Sequence, residues 1–317
     1  LTKNFAVIGA AGYVAPKHMK AIKETGNVLV AALDKSDSVG ILDSFSYDVS
    51  FFTEFERFDR HAEKMRTADE KTKIEYVSIC SPNYLHDAHI RFALRIGAHA
   101  ICEKPLVLNP WNLDAIQLME QEAGKKVYTV LQLRVHPSII ALKNRLAEEK
   151  SGKKHLIDLT YITSRGKWYF HSWKGDIAKS GGIATNIGIH FFDMLIWLFG
   201  KVQYQEVHLA ESRKMAGFIE LDNAVVRWFL SVDHNDLPEQ AKKAGVPTYR
   251  SITIDNREIE FSGGFTDLHT LVYKDILQGK GYGIEDARPS LNLVSSIRNT
   301  TPGIKNKNGR HPFLVKR

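Results

Sequence analysis

Cysteine is scarce in this chain: only Cys80 and Cys102 occur in 317 residues. Each lies in an apolar, strand-like run, so both read as buried small hydrophobes of a reducing compartment rather than as a disulfide pair. Long apolar runs are lacking too. The longest, 187–200, contains His190 and Asp193 and is too short to span a bilayer. The N-terminal apolar run is too short for a signal-peptide core. No membrane partner is expected, and a cytoplasmic location is. There is no internal repeat and no low-complexity tract. The net charge of +7 is spread thinly, with one dense basic patch at 305–317 and no nucleic-acid module signature, so no nucleic-acid partner is expected. A solvated surface or a polyanionic small substrate accounts for the surplus. What remains is ordinary for a soluble globular chain, 44% hydrophobic and 25% charged, and long enough for two cores.

The organising stretch is 5–15, FAVIGAAGYVA. Four apolar residues suit a buried parallel strand, and Gly9, Gly12 and Ala15 follow as the G-x-x-G-x-x-A variant of the dinucleotide fingerprint. Gly9 permits the tight turn, Gly12 lets the backbone approach a pyrophosphate, and Ala15 keeps the helix close to the sheet. Phosphates would meet the unpaired N–H groups at the helix start, around Ala11, Tyr13 and Val14. A helical segment 13–25, Gly26 and a strand 28–33 come next. Asp34 stands 22 residues beyond Gly12, where a carboxylate binds ribose hydroxyls and repels a 2′-phosphate. NAD is therefore favoured over NADP, although Lys35 and Ser36 soften the preference. The plainer alternative is a doubly wound domain that binds no dinucleotide.

Further apolar strands are expected at 74–80, 99–102 and 127–133, separated by helices at 57–69, 86–96 and 112–123. A helix 138–149 follows the last of them. Two strands deliver Ser81-Pro82-Asn83…His86 and Glu103-Lys104-Pro105 to the carboxyl rim of the sheet, where ligands meet an open α/β sheet. Beyond a linker at 151–154, strands dominate: 155–163, 202–212, 224–233 and 249–261, with a helix at 187–199 and two more at 269–278 and 289–298. The expected fold is an α/β Rossmann domain with a doubly wound parallel sheet, followed by an α+β domain with a largely antiparallel open sheet. The division is 1–125 for dinucleotide binding and 126–317 for substrate binding and oligomerisation.

Four ordered motifs now carry a resemblance that covers nearly the whole chain: the glycine turn, Ser81-Pro82-Asn83…His86, Glu103-Lys104-Pro105, and Gly181-Gly182…Asn186-Ile187-Gly188-Ile189-His190. Together they resemble the Gfo/Idh/MocA oxidoreductases, NAD(P)-dependent sugar and cyclitol dehydrogenases. Gln132-Leu133-Arg134…His136-Pro137 and the stretch from Trp168 to Gly182 resemble the WlbA/WbpB type within that family. The resemblance implies oxidation of the 3-hydroxyl of UDP-N-acetyl-D-glucosaminuronic acid, on the way to diacetamido-uronic acids of surface polysaccharide such as lipopolysaccharide O-antigen. It also implies a retained NAD recycled by 2-oxoglutarate. The broad sheet of the second domain suggests face-to-face association, as a homodimer or homotetramer. The rival expectations are the same chemistry on inositol or a hexose, and a non-catalytic NAD-binding sensor.

Removing hydride from a secondary alcohol needs a base for the hydroxyl proton and a cation or donor beside the developing oxygen charge. Lys104 is the candidate cation, or else a solvated loop lysine paired with Glu103. His190 is the candidate base, or else a packed histidine of an apolar helix. Many relatives carry Asp where Asn186 stands, so the share of each in the proton transfer stays open. Asn83 and His86 are expected to line the nicotinamide side with Ser81, Pro82 and Gln132, or to serve the turn and the helix start. Glu103 is the candidate contact for the nicotinamide ribose. Arg165, Trp168, Tyr169, Trp173 and Lys174 mix cations and rings as a diphosphate, a carboxylate and a uracil require, unless they form a ring-stapled loop with solvated cations. Arg134 is the candidate for gripping the carboxylate. Tyr13 would close over cofactor or sugar, or begin its helix. No metal ligand set is expected.

Overall fold

The computed structural model describes residues 2–69, 71–149, 152–259 and 267–315. Its chain divides into two compact units, Leu1–Val135 with Thr266–Arg288, and His136–Phe265 with Pro289–Arg317. The first unit therefore runs past the expected boundary at 125 and takes back a late segment. The reason is a packed interface: the helix Leu268–Leu277 lies against the helix Ala15–Glu24. The expected linker, last strand and basic tail extend to residues 151, 260–261 and 316–317, which lie outside the described residues.

In the first unit, β1 (Asn4–Ile8), β2 (Val28–Leu33), β3 (Ser50–Phe52), β4 (Tyr76–Ile79), β5 (His99–Cys102) and β6 (Val127–Thr129) form one sheet in the order β3-β2-β1-β4-β5-β6. All its pairs are parallel, as the unbroken apolar runs require. Helices cover it, among them His86–Arg95 and Trp111–Ala123, the latter stopped by left-handed Gly124. The order reverses between β1 and β4, the crevice where such sheets bind ligands. Register aligns the rim: Ile8 pairs with Leu33 and Ile79, and Ile79 with Cys102. The next residues along each strand, Gly9, Asp34, Cys80 and Glu103, are thus brought to one edge. The strand expected at 127–133 is shorter, because β6 stops at Thr129 and a tight turn, Gln132–Val135, leaves the sheet.

The second unit holds β7 (His155–Thr163), β8 (Val202–Ala210), β9 (Lys214–Leu221), β10 (Ala224–Ser231), β11 (Thr248–Ile254) and β12 (Arg257–Glu258), ordered β12-β11-β7-β10-β9-β8. Only β7 and β10 run parallel; the other pairs are antiparallel. Strand β9 was not expected from the sequence, and the strand expected at 249–261 is broken at Asp255 and Asn256, both with positive φ, into β11 and β12. Gly217 interrupts the apolar pattern of β9, and it is needed there: a Cβ would stand 2.1 Å from the Glu206 carbonyl oxygen and 2.7 Å from the Trp228 ring. The helix Ile189–Phe199 buries Phe192 against Trp228, centroids 5.4 Å apart. Helical turns run on from Ile177 to Phe199, 23 residues in all, which by length and composition would cross a membrane. The apolar run counted from 187 is thus lengthened by the turns before it, but 72% of its most apolar window is buried inside the protein, as in a core helix.

Candidate functional site

The first unit builds a dinucleotide cradle at its rim. Gly9 has φ +90°, and a Cβ there would lie 2.6–2.7 Å from the backbone of Cys80 and Ser81. The turn is pinned by Gly9 N–H to Leu33 O (2.8 Å) and Gly12 N–H to Gly9 O (3.0 Å). Ala11, exposed at its tip, donates its N–H to Asp34 Oδ2 (2.9 Å), and Ser36 N–H donates to Oδ1 (2.9 Å). The carboxylate is therefore held beside the glycine turn with lone pairs left for ribose hydroxyls. Val14 precedes the helix, Lys35 is exposed, and the Tyr13 ring is 89% exposed, so it is no buried start of that helix. A narrow glycine turn, a helix start and an acidic neighbour fit an adenine dinucleotide.

Across the crevice, Ser81 Oγ meets His89 Nδ1 (2.8 Å), and burial takes His89 down to about 4. Pro82 leads into the turn Asn83–Leu85, with Asn83 buried. His86 is buried with Nδ1 2.7 Å from Pro105 O and Nε2 2.9 Å from Ser81 O. The ring stands between the loop after β4 and the loop after β5, at the first residue of the helix His86–Arg95. Burial lowers its pKa, the two carbonyls opposing. Gln132 is half-buried in its turn. Lys104, half-buried, follows Glu103 and precedes a cis peptide to Pro105.

Glu103 is the centre of a group that sequence reasoning missed. Its Oε1 lies 3.0 Å from His18 Nε2 and 2.9 Å from His269 Nε2, and Oε2 accepts from Lys104 N–H at 3.3 Å. His18 Nδ1 lies 2.7 Å from the Tyr273 hydroxyl, which is 2.6 Å from Ser78 Oγ. Burial alone would push the Glu103 carboxyl up, yet hydrogen bonds from His18 and His269 hold it well below the usual carboxylate range. Burial lowers His18, outweighing that carboxylate. These three groups also form a metal-type donor set, but their donors and acceptors match without an ion. A signal existed for His18: it shares the buried helix face of Ala15, Met19 and Ile22.

Arg134, expected to grip a carboxylate, is placed otherwise. It is 6% exposed, with Nη1 3.3 Å from Asp286 Oδ1, Nη2 3.0 Å from the Asp286 carbonyl, and the Tyr282 ring 4.9 Å away. It ties the returning segment to the turn Gln132–Val135.

The second unit gathers the expected cations and rings. Lys174 Nζ lies 5.3 Å from the Trp168 ring centroid and 5.6 Å from that of Trp173. Burial, then repulsion from Arg165, lowers the Lys174 pKa. Gly175 lets this loop close on itself, since a Cβ would stand 2.6 Å from Phe170 Cα. Trp168 is exposed, whereas Tyr169 is buried with its hydroxyl accepting from Asn186 Nδ2 at 3.2 Å. Asn186 lies in a widened π turn, Ala184–Gly188, the irregularity that recurs at functional sites. His190 follows as the second residue of Ile189–Phe199, half-buried, with Asp193 buried one turn on.

The comparisons with known proteins agree with this geometry. One family model, described as an oxidoreductase family with an NAD-binding Rossmann fold, matches residues 3–131. A second, described as the C-terminal alpha/beta domain of that oxidoreductase family, matches residues 143–236. The chain is 51% identical to the WlbA (WbpB) dehydrogenase from Thermus thermophilus in a crystal structure with NAD and alpha-ketoglutarate. That match covers 99% of this chain and 100% of the other, with a TM-score of 0.94. A structure of the same dehydrogenase with NAD and UDP-GlcNAcA matches at 50% identity, equal coverage and a TM-score of 0.94. The WlbA dehydrogenase from Bordetella pertussis, in complex with NADH and UDP-GlcNAcA, is 18% identical over 93% of this chain and 94% of its own, TM-score 0.74, a likeness of fold. Inositol 2-dehydrogenase of Rhizobium meliloti is 25% identical over 203 residues, 63% of this chain and 56% of that protein. The matched stretch thus spans about half of that curated relative.

Proposed function

Because the chain belongs to the Gfo/Idh/MocA family of NAD-binding oxidoreductases, we propose that it oxidises the C3 hydroxyl of UDP-N-acetyl-D-glucosaminuronic acid to the 3-keto sugar nucleotide. The observation that carries this reading is the full-length match, at 50% identity, to a dehydrogenase held with NAD and UDP-GlcNAcA. The chemistry of the two units supports it. The first unit supplies the dinucleotide cradle, with Gly9, Gly12 and Asp34 as its frame. The second supplies cations and ring faces, Lys174 with Trp168 and Trp173, suited to a diphosphate, a carboxylate and a base.

Bound NAD accepts the hydride at nicotinamide C4. The side chains handle the proton and the charge: the Lys104 ammonium stabilises the developing alkoxide, and the His190 imidazole takes the hydroxyl proton. Asn186, an amide, stands where many relatives carry a carboxylate, so the share of Lys104 and His190 in the proton transfer is what their variants measure. In a second half-reaction, NADH and a proton reduce 2-oxoglutarate to 2-hydroxyglutarate and restore NAD; the alpha-ketoglutarate held by the Thermus protein supports this. The product serves diacetamido-uronic acid synthesis for bacterial surface polysaccharide, lipopolysaccharide O-antigen included. Both co-substrates are cytoplasmic metabolites, and the broad second sheet favours a homodimer or homotetramer.

The test is a panel of UDP-N-acetylglucosaminuronic acid, UDP-N-acetylglucosamine, inositol and glucose, with NADH formation followed by absorbance. The reading expects turnover of the uronic acid alone, becoming multiple-turnover when 2-oxoglutarate is added. Turnover of inositol or glucose in its place would assign another polyol. Binding of NAD with no oxidation of any member would assign a sensor.

A further inference from the structure

The buried chain behind Glu103 has one direction. The Ser78 hydroxyl can donate to Tyr273 Oη (2.6 Å), the Tyr273 hydroxyl to His18 Nδ1 (2.7 Å), and His18 Nε2–H to Glu103 Oε1 (3.0 Å). His269 Nε2–H meets the same oxygen from another element (2.9 Å), and Lys104 N–H meets Oε2 (3.3 Å). The chain from Ser78 through Tyr273 and His18 is then fully assigned with the His18 imidazole neutral and the carboxylate ionised. His18, Ser78 and Tyr273 are fully buried, so none of these bonds competes with bulk water. The elements are far apart in sequence: the first helix, β4, the end of β5 and the helix Leu268–Leu277.

We propose that His18 and His269 are positioning residues for the cofactor half-site, acting through Glu103: the two imidazoles saturate Oε1, hold the carboxylate as an anion, and leave Oε2 as the acceptor presented beside Lys104. The ligand chemistry recognised through that oxygen is a vicinal diol, the nicotinamide ribose. The inference rests on the NAD-binding part of the reading above and not on the identity of the sugar. It also gives the late segment a task, since His269 brings to Glu103 Oε1 a second donor beside His18. The groups facing the carboxylate besides the two histidines are Lys104, His86, Tyr273, Cys80 and Cys102. Burial pushes both thiols and the phenol up and His86 down, so all four stay neutral near pH 7.

The experiment measures NADH affinity by fluorescence from pH 8 to pH 6 for wild type, His269→Leu and His269→Gln, with thermal melts of each. Wild-type affinity is expected to change less over that range than that of His269→Leu. Removing one donor raises the carboxyl pKa, so His269→Leu should bind about tenfold more weakly, with the loss growing as pH falls. His269→Gln keeps an N–H donor and should stay within about twofold of wild type. Should the leucine variant not fold, Glu103→Gln replaces it; being unable to ionise, it should bind weakly at every pH. An affinity that tracks wild type in His269→Leu, or equal pH-independent losses in the leucine and glutamine variants, overturns the proposal. Wild-type inertness toward the UDP-sugar acid would sink the substrate reading and leave this comparison intact.

Discussion

Replacing Gly9 by alanine tests the cradle at its narrowest point. The backbone there has φ +90°, and the new methyl would stand 2.6 Å from the Cys80 carbonyl carbon and 2.7 Å from its oxygen and from Ser81 N. All three are backbone atoms at the end of β4, so no side-chain rotation relieves the overlap. A left-handed backbone costs a non-glycine residue about 1–2 kcal/mol, and overpacking adds about 1–3 kcal/mol. Taking about 3 kcal/mol in total, the midpoint of a unit this size should fall by roughly 6–12 °C. Gly12→Ala is the internal control, because its Cβ meets only Gly9 O at 3.0 Å and Cys80 O at 3.5 Å. It should lose little stability but much NADH affinity if Gly12 faces the pyrophosphate as the fingerprint implies. Thermal melts paired with NADH titrations separate the two. A Gly9→Ala protein that melts like wild type, or a Gly12→Ala protein that binds NADH like wild type, would refute the reasoning.

Other expectations follow from named contacts. Asp34→Ala removes the acceptor of Ala11 N–H and Ser36 N–H, so NADH affinity should fall about tenfold while NADPH affinity changes less, as parallel titrations would show. Lys104→Met and His190→Asn should each lower kcat by about 10²–10⁴ with NADH affinity kept within threefold, read in single-turnover assays. In the second unit, His311 is buried, accepts Phe313 N–H at Nδ1 (3.1 Å), and is lowered by burial to about 4. The unfolded chain, with its histidine near 6.5, then binds more protons, so stability is whole above pH 6.5 and drains away between 6.5 and 4. Urea melts across that range should show His311→Phe losing less on acidification than wild type.

The parallel sheet was legible because each of its main strands is a short unbroken apolar run, and β2, β5 and β7 fall where the periodicity put them. The glycine turn and Asp34 were legible for a different reason: turn chemistry demands one residue type at one spacing, and the N–H groups of Ala11 and Ser36 meet that carboxylate. What escaped was set by tertiary contact. Gly217 hid β9, because a close backbone approach forbids the side chain that a strand pattern needs. Arg134 looked like a substrate ligand until Asp286 and Tyr282, some 150 residues away, were seen to hold it. The His269–Glu103 pair spans 166 residues, and no local pattern announces such a partner.

The most direct test of the oxidation itself uses UDP-N-acetylglucosaminuronic acid carrying deuterium at sugar C3. Incubated with the protein and NAD, it should yield NADH bearing that deuterium at nicotinamide C4 and a sugar nucleotide two mass units lighter than its undeuterated parent would be. Formation of unlabelled NADH, or recovery of the sugar with its deuterium in place, would contradict the account.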